Sequence, residues 1–383
     1  MIPTRNVNVI RRGIYSSIPL NYNKNGKNIQ PTQPAHLVRI PDLFVSWASQ
    51  APRVNPFYEK VRPQVEEWVR DVCKLDEQQY KKFVLGELPY FAAVWAPDAD
   101  EDAYRLACDW VGWVFVFDDK IDEGELRHRT DLVRREIEAT MSLTGPNPIP
   151  YSPQERGDLY VFDTIWQRIK KAPDGIQRRF IDTHKKYMAQ LLETTDPSSL
   201  NLFHDIDSFV DHHRFSVGIC PMYPILEYCN RLDLPDYVFE TPAIQKLEAL
   251  VSEIGLLTND IFSYAKECSS GDQHNIIMFL RQHEPGLSQE AASERIGREI
   301  TRRYQEWYLA LAELPQWGEA IDAQVQKYVR ALQDLVLSNL NWSFRSQRYF
   351  GKGNVLARRE RLVPAVPLPE PGPVPEPEPV SGP

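Results

Sequence analysis

The sequence predicts an all-α protein built as one large helical domain. Apolar residues recur at three- and four-residue steps through a series of long segments. Strand-like alternation over several residues is rare. Breakers gather between the segments rather than inside them, as in LTGPNPIPYSP (143–153) and NRLDLPD (230–236). With 383 residues, 42% of them hydrophobic, the chain can bury a substantial core and is not broadly disordered.

Taken in order, residues 1–35 are polar and rich in Asn, Gln and Pro, and read as a flexible N-terminal arm. The helical pattern then runs through PQVEEWVRDVC (63–73), AYRLACDWVGWVFVF (103–117), DLYVFDTIWQRIKKA (158–172) and GIQRRFIDTHKKYMAQLLE (175–193). It continues in IDSFVDHHRFSVGI (206–219), AIQKLEALVSEIGLLTNDIFSYAKE (243–267), AASERIGREITRRYQEWYLALAEL (291–314) and EAIDAQVQKYVRALQDLVLSNLNWSF (319–344). Two of these, 103–117 and 243–268, are apolar nearly all round, which predicts that they are central. No internal repeat at a fixed period occurs. These boundaries give one domain over 36–355. Residues 356–383 form a tail ending VPLPEPGPVPEPEPVSGP, whose composition favours a solvated polyproline II spacer over helix or sheet.

The formal charge of −9 argues against nucleic-acid binding but permits an anionic substrate if metal ions mediate the contact. Five scattered cysteines include no CxxC pair, so neither a zinc site nor a disulfide framework is expected, and buried thiols in a reducing compartment are. No signal-type apolar region or membrane-length apolar run occurs, which makes the cytoplasm the expected location. Arg5, Arg11 and Arg12 leave a weak organelle-targeting reading open, and the sequon at Asn341 is read as chance.

Two constellations carry chemistry. FDDKIDE closes the first central helix and sets Asp118 and Asp122 one turn apart on one face, with Asp119 about 100° round. Carboxylates at a helix C-terminus oppose the helix dipole and repel each other, a cost that divalent cations offset. Glu123 reads as solvent-facing or supporting. The second central helix carries TNDIFSYAKE, in which Asn259, Ser263 and Glu267 recur every four residues and share one stripe. An amide, a hydroxyl and a carboxylate in a row make a hard-cation site of low charge. Each cluster alone could be the polar end of an amphipathic helix; two on the two central helices point to one metal-dependent site.

DDKID followed by NDIFSYAKE resembles the motif pair of the class I terpene synthase family, specifically its single-domain microbial, fungal-type sesquiterpene cyclases. Asp118 and Asn259 are 141 residues apart, close to the family spacing. RIPDLF (39–44), Arg348-Tyr349, and Arg214 placed 45 residues before Asn259 extend the similarity over about residues 38–350. The resemblance implies a class I terpenoid synthase helical bundle around a central active-site cavity. It implies three Mg²⁺ ions, with Asp118 and less directly Asp122 holding two and Asn259, Ser263 and Glu267 the third. Arg214, Lys266, Arg348 and Tyr349 would hold the substrate diphosphate, and Gly218 would sit at a helix break facing the substrate. Val217 stands where the family usually has an acidic residue, so the coupling between Arg214 and that break departs from the pattern.

The implied activity is that of a carbon–oxygen lyase acting on phosphates. An isoprenyl diphosphate ionises, the cation cyclises in a dry pocket, and diphosphate leaves. Aromatic faces suit a buried cation. Phe91, Phe115 and Trp342 are the pocket candidates, with Phe117 and Trp95 as further ones. Size and family branch imply farnesyl diphosphate, with geranylgeranyl diphosphate as the alternative, and a monomer or homodimer. Chain elongation would need a second aspartate-rich motif where only Asp260 stands. An HD-type phosphohydrolase using His204-Asp205 with His184, His212 or His213, and a non-catalytic adaptor presenting the proline tail, are the readings from other classes.

Overall fold

The computed structural model describes residues 36–122, 124, 126, 129–195 and 203–367. The N-terminal arm, Glu123, residues 196–202 and most of the proline tail lie outside the described residues. What is described is a helical assembly with one short antiparallel ribbon.

Helix α1 (Tyr58–Cys73) turns Val61, Val65 and Val69 inward at four-residue steps. Helix α2 (Glu77–Leu85) begins at Asp76, whose side chain accepts from the Gln79 amide while the Gln79 side chain returns the contact. Helix α3 (Leu88–Trp95) follows, then α4 (Glu101–Asp122), α5 (Thr130–Ser142), α6 (Gly157–Ile169) and α7 (Asp174–Thr194). Helix α8 (Ile206–His213) is capped by Asp205. Beyond it come α9 (Tyr223–Cys229), α10 (Asp236–Phe239), α11 (Pro242–Ser270), α12 (Ile276–His283), α13 (Gln289–Ala312), α14 (Glu319–Arg345) and α15 (Asn354–Glu360).

The two segments that are apolar all round became α4 and α11, and both are central. Helix α11 buries residues on every face, from Ile244 and Leu247 through Ile254 and Leu257 to Ile261 and Phe262. A side chain cannot be sheltered on every face of a helix unless neighbours surround it. Here α13 and α14 do so, and α4 is enclosed likewise by α1, α3 and α6. Helix α14 joins the two halves by packing on both α3 and α11, and Ser338 Oγ donates to the Phe91 carbonyl at 2.6 Å.

Buried charge is paired. Arg303 on α13 is 2% exposed, and its Nε donates to Glu253 Oε2 on α11 at 2.7 Å. Such a pair adds little net stability but tolerates no unpaired partner. His184 is a core histidine that accepts from Trp110 Nε1 at 3.0 Å and contacts the Phe180 carbonyl through Nδ1 at 2.7 Å. Asp205 caps α8, so the HD dipeptide serves a helix start. The five cysteines are free. Asn341 of the sequon is buried, with Nδ2 donating to the Leu337 carbonyl at 2.8 Å.

Ordered structure continues past residue 355, where the sequence pattern placed the start of the tail. Strand β1 (Leu37–Arg39) pairs antiparallel with β2 (Leu362–Pro364), Val38 opposite Val363. The Ala365 amide reaches the His36 carbonyl at 2.8 Å, and Arg281 and Gln289 hold the backbone of Val366. Three-residue strands carry too little alternation to be legible in sequence.

Candidate active site

Helices α3, α4, α7, α11 and α14 enclose a cavity of about 320 Å³. Its deep part is apolar and aromatic. Trp342 on α14 is fixed by its indole, which donates to the Gly86 carbonyl at 2.6 Å. Phe91 and Phe115 stand beside it at ring-centroid distances of 5.0 and 5.4 Å. These three rings come from α3, α4 and α14, and all line the cavity. Phe117 and Trp95 do not; Phe117 stacks on Trp113 in the core at 5.4 Å, and Trp95 is fully buried.

Polar groups collect at the mouth. Asp118, Asn259, Ser263, Glu267, Lys266 and Arg348 all line the same cavity, so the two sequence constellations meet across it. Burial pushes the Asp118 carboxyl up, while Lys266 and Arg348 pull it down and Asp119 and Asp272 add repulsion. Asp119 points elsewhere, to Lys82 at 3.0 Å and Arg348 at 3.3 Å. The last residue of α4 is Asp122, whose side chain lies outside the described part.

On α11, Asn259 Nδ2 donates to the Tyr349 hydroxyl at 2.9 Å, which leaves the amide oxygen as the group to meet a cation. Ser263 Oγ is buried and makes no well-formed hydrogen bond among the described residues, though it lies near enough to lower the Glu267 pKa. Glu267 is pushed up to about 8, first by burial, then by Asp272 and Asp260. A buried, mutually repelling acid pair beside an orphaned hydroxyl and an oriented amide oxygen is the donor set of a hard divalent cation. Among the described residues no group of three or more His, Cys, Asp or Glu side chains converges to hold a metal alone.

Some members of the site escaped the sequence. Asn275 is fully buried; its Nδ2 donates to Glu267 Oε2 and to the Asp260 carbonyl, both at 2.8 Å. Asp260 accepts from the Ile276 amide at 2.7 Å and is raised, first by burial and then by Asp272. For Asp272 burial acts upward, but hydrogen bonds and charge from His274 hold it low. The loop GDQHN that supplies Asp272, His274 and Asn275 has no helical period, so only its position after TNDIFSYAKE could have signalled it.

Helix α8 ends at His213, and the chain breaks before the short turn at Cys220. Gly218 in the break has φ +75° and lines the cavity. Val217 lines it too. Arg214 is not among the lining side chains. Its Nη1 stands 3.7 Å from Glu253 and 3.8 Å from Asp211, and its buried Nε has no partner among the described residues.

An all-α enclosure with an aromatic floor and a hard-cation rim has the architecture of the class I terpenoid synthases. Solved structures agree in fold: α-eudesmol synthase superposes with a TM-score of 0.67 at 21% identity, covering 77% of this chain and 96% of that one. Germacradien-4-ol synthase from Streptomyces citricolor gives 0.65 at 20% identity, covering 77% and 96%. The chain belongs to the terpene synthase family, since residues 109–306 match the model of terpene synthase family 2, C-terminal metal binding. Silphinene synthase of Penicillium patulum is 36% identical over 338 residues, 86% of this chain and 90% of the relative. The (+)-eremophilene synthase of Gibberella fujikuroi is 34% identical over 330 residues, 85% and 90% respectively.

Proposed function

We propose that the protein is a sesquiterpene synthase that ionises farnesyl diphosphate and closes the resulting cation to a cyclic hydrocarbon or alcohol, releasing diphosphate. The observation that carries this reading is that Asp118 and the Asn259, Ser263, Glu267 stripe edge one cavity floored by Phe91, Phe115 and Trp342. The names of the relatives, silphinene and eremophilene synthases, agree with a cyclase of this kind.

The substrate diphosphate lies at the polar mouth and its isoprenoid chain along the aromatic floor. Arg348 and Lys266 donate to the diphosphate, with the Tyr349 hydroxyl beside them. Asp118 and the Asn259, Ser263, Glu267 stripe, with Asp122 in support, would hold Mg²⁺, three ions being expected, which would supply Lewis-acid stabilisation of the leaving diphosphate. The bond between C1 and its oxygen breaks, its electron pair leaves with the diphosphate, and the allylic cation remains over the rings. Ring quadrupoles stabilise such a cation by about 2 kcal/mol or more once water is excluded. Loss of a proton to the retained diphosphate ends the reaction, directly from the cation for a hydrocarbon or after one water adds to the cation for an alcohol. Gly218, in the break, presents backbone to the cavity, and Arg214 is the nearby cation available to turn toward the diphosphate.

Incubation with geranyl, farnesyl and geranylgeranyl diphosphates plus Mg²⁺, followed by gas chromatography–mass spectrometry, tests this. A cyclic C15 product is expected from farnesyl diphosphate, with none from Asp118→Ala or Asn259→Ala. Undiminished activity in both variants, or no terpenoid from any substrate, would sink the proposal.

A further inference from the structure

A second cleft, of about 360 Å³, adjoins the mouth on the α2 side. Its lining side chains include Lys81, Lys82, Lys266 and Arg348, with the amides of Gln78 and Gln347, and no carboxylate. In a chain of net charge −9, four cations line one cleft whose own lining holds no acid, and Asp119 beside it offsets part of their charge. Lys266 and Arg348 also line the main cavity, so the two spaces share a cationic wall. Asp119 stands at that wall, paired with Lys82 at 3.0 Å and Arg348 at 3.3 Å. Lys81 is exposed and makes no ion pair among the described residues.

We propose that this cleft is an outer diphosphate site, through which the inorganic diphosphate freed in the cavity passes on its way out. The chemistry is that of a polyanion passed along a wall of cations that two spaces share. Lys266 and Arg348 face both sides, so the anion moves outward without leaving its counter-charges. On the outer side Lys81 and Lys82 add charge, and the amides of Gln78 and Gln347 add N–H donors. Lys81 and Lys82 are exposed, so the affinity of the outer site falls as salt screens it.

The proposal rests on reading Lys266 and Arg348 as diphosphate ligands, but binding can be measured without turnover. The test is calorimetric titration of inorganic diphosphate, with Mg²⁺ present, into the full chain and into Lys81→Glu and Gln78→Glu. Two binding events are expected for the unaltered protein. In Lys81→Glu the weaker, salt-sensitive event should fall in affinity by about tenfold, as reversal of one contacting charge implies. The tighter event and turnover should stay within about twofold. In steady state, diphosphate inhibition should change from mixed to competitive in the variant. A single event in the unaltered protein, or two events unaffected by both substitutions, would overturn the proposal. If Lys81→Glu raised the KM for farnesyl diphosphate while diphosphate inhibition stayed the same, assignment to the released product would fail. Two events in a protein that yields no terpenoid would uphold the site and refute the cyclase reading, whereas cyclisation with one event would do the reverse.

Discussion

Asn259 and Tyr349, 90 residues apart, are joined by a 2.9 Å hydrogen bond from the amide Nδ2 to the phenol oxygen. The bond fixes which end of the amide faces the cavity and ties the C-terminal part of the fold to α11. Removing it in Tyr349→Phe should lower Mg²⁺ affinity about ten- to a hundredfold, the usual cost of losing a partner that orients a ligand. The Mg²⁺ activation curve should shift while the melting temperature moves little; an unshifted curve would show that Asn259 is oriented by other means.

Asn275 supports Glu267 from behind. In Asn275→Ala the Glu267 carboxyl and the Asp260 carbonyl both lose a buried donor, at a cost of about 1–3 kcal/mol. Thermal melts should show this loss without Mg²⁺, together with a weaker response to added Mg²⁺.

Proton traffic at the site has a definite sign. Glu267 rises from an ordinary 4.5 to about 8, chiefly by burial, so between these values the folded protein holds a proton that the unfolded chain releases. Stability of the metal-free protein should therefore fall as pH rises through that window. Mg²⁺ needs the ionised carboxylate, so its binding at pH 7 should release protons. Calorimetry in buffers of different ionisation enthalpy reads that release directly, and buffer-independent heats would contradict the expectation.

The rings should direct the product more than the binding. Phe115 lies under the Arg348 guanidinium at 4.7 Å and against Trp342 at 5.4 Å. Phe115→Leu stays apolar, with some loss of volume, and removes the quadrupole, so turnover should drop by up to about thirtyfold, the equivalent of 2 kcal/mol. The product profile on gas chromatography should shift toward earlier quenching, while KM changes little.

Gly218 has φ +75°, a conformation that costs an L side chain about 1–2 kcal/mol. A Cβ there would have Tyr187 Cε2 at 3.8 Å, so room is not the obstacle. Gly218→Ala should lower the melting temperature modestly and cut turnover by moving the break.

Sequence patterning located what depends on periodicity. Helices α4 and α11 were legible because every face is apolar, and their cavity-lining polar stripes because four-residue spacing survives in a helix. Phe117 was harder to place, since one residue step from a pocket wall turns a ring into the core, and period alone cannot tell the two sides of a fully buried helix apart. Helices α2, α3, α5, α9, α10, α12 and α15 went unread: α3 is only Leu88–Trp95, with a proline at its start. Arg214 was marked by its spacing from Asn259, but no pattern reveals that its guanidinium leans toward Glu253, because that depends on a carboxylate brought in by another helix. Asn275 and Asp272 lie in a loop, where position relative to a known helix is the only cue.

The β1–β2 ribbon sets the two ends of the folded region side by side, Leu37 opposite Pro364. The order in which the helices are strung is therefore a matter of synthesis more than of architecture. A short peptide linking the two ends, with a new start cut into the 143–156 connection, would leave every wall of the cavity on continuous chain. Such a permuted protein should fold and turn over.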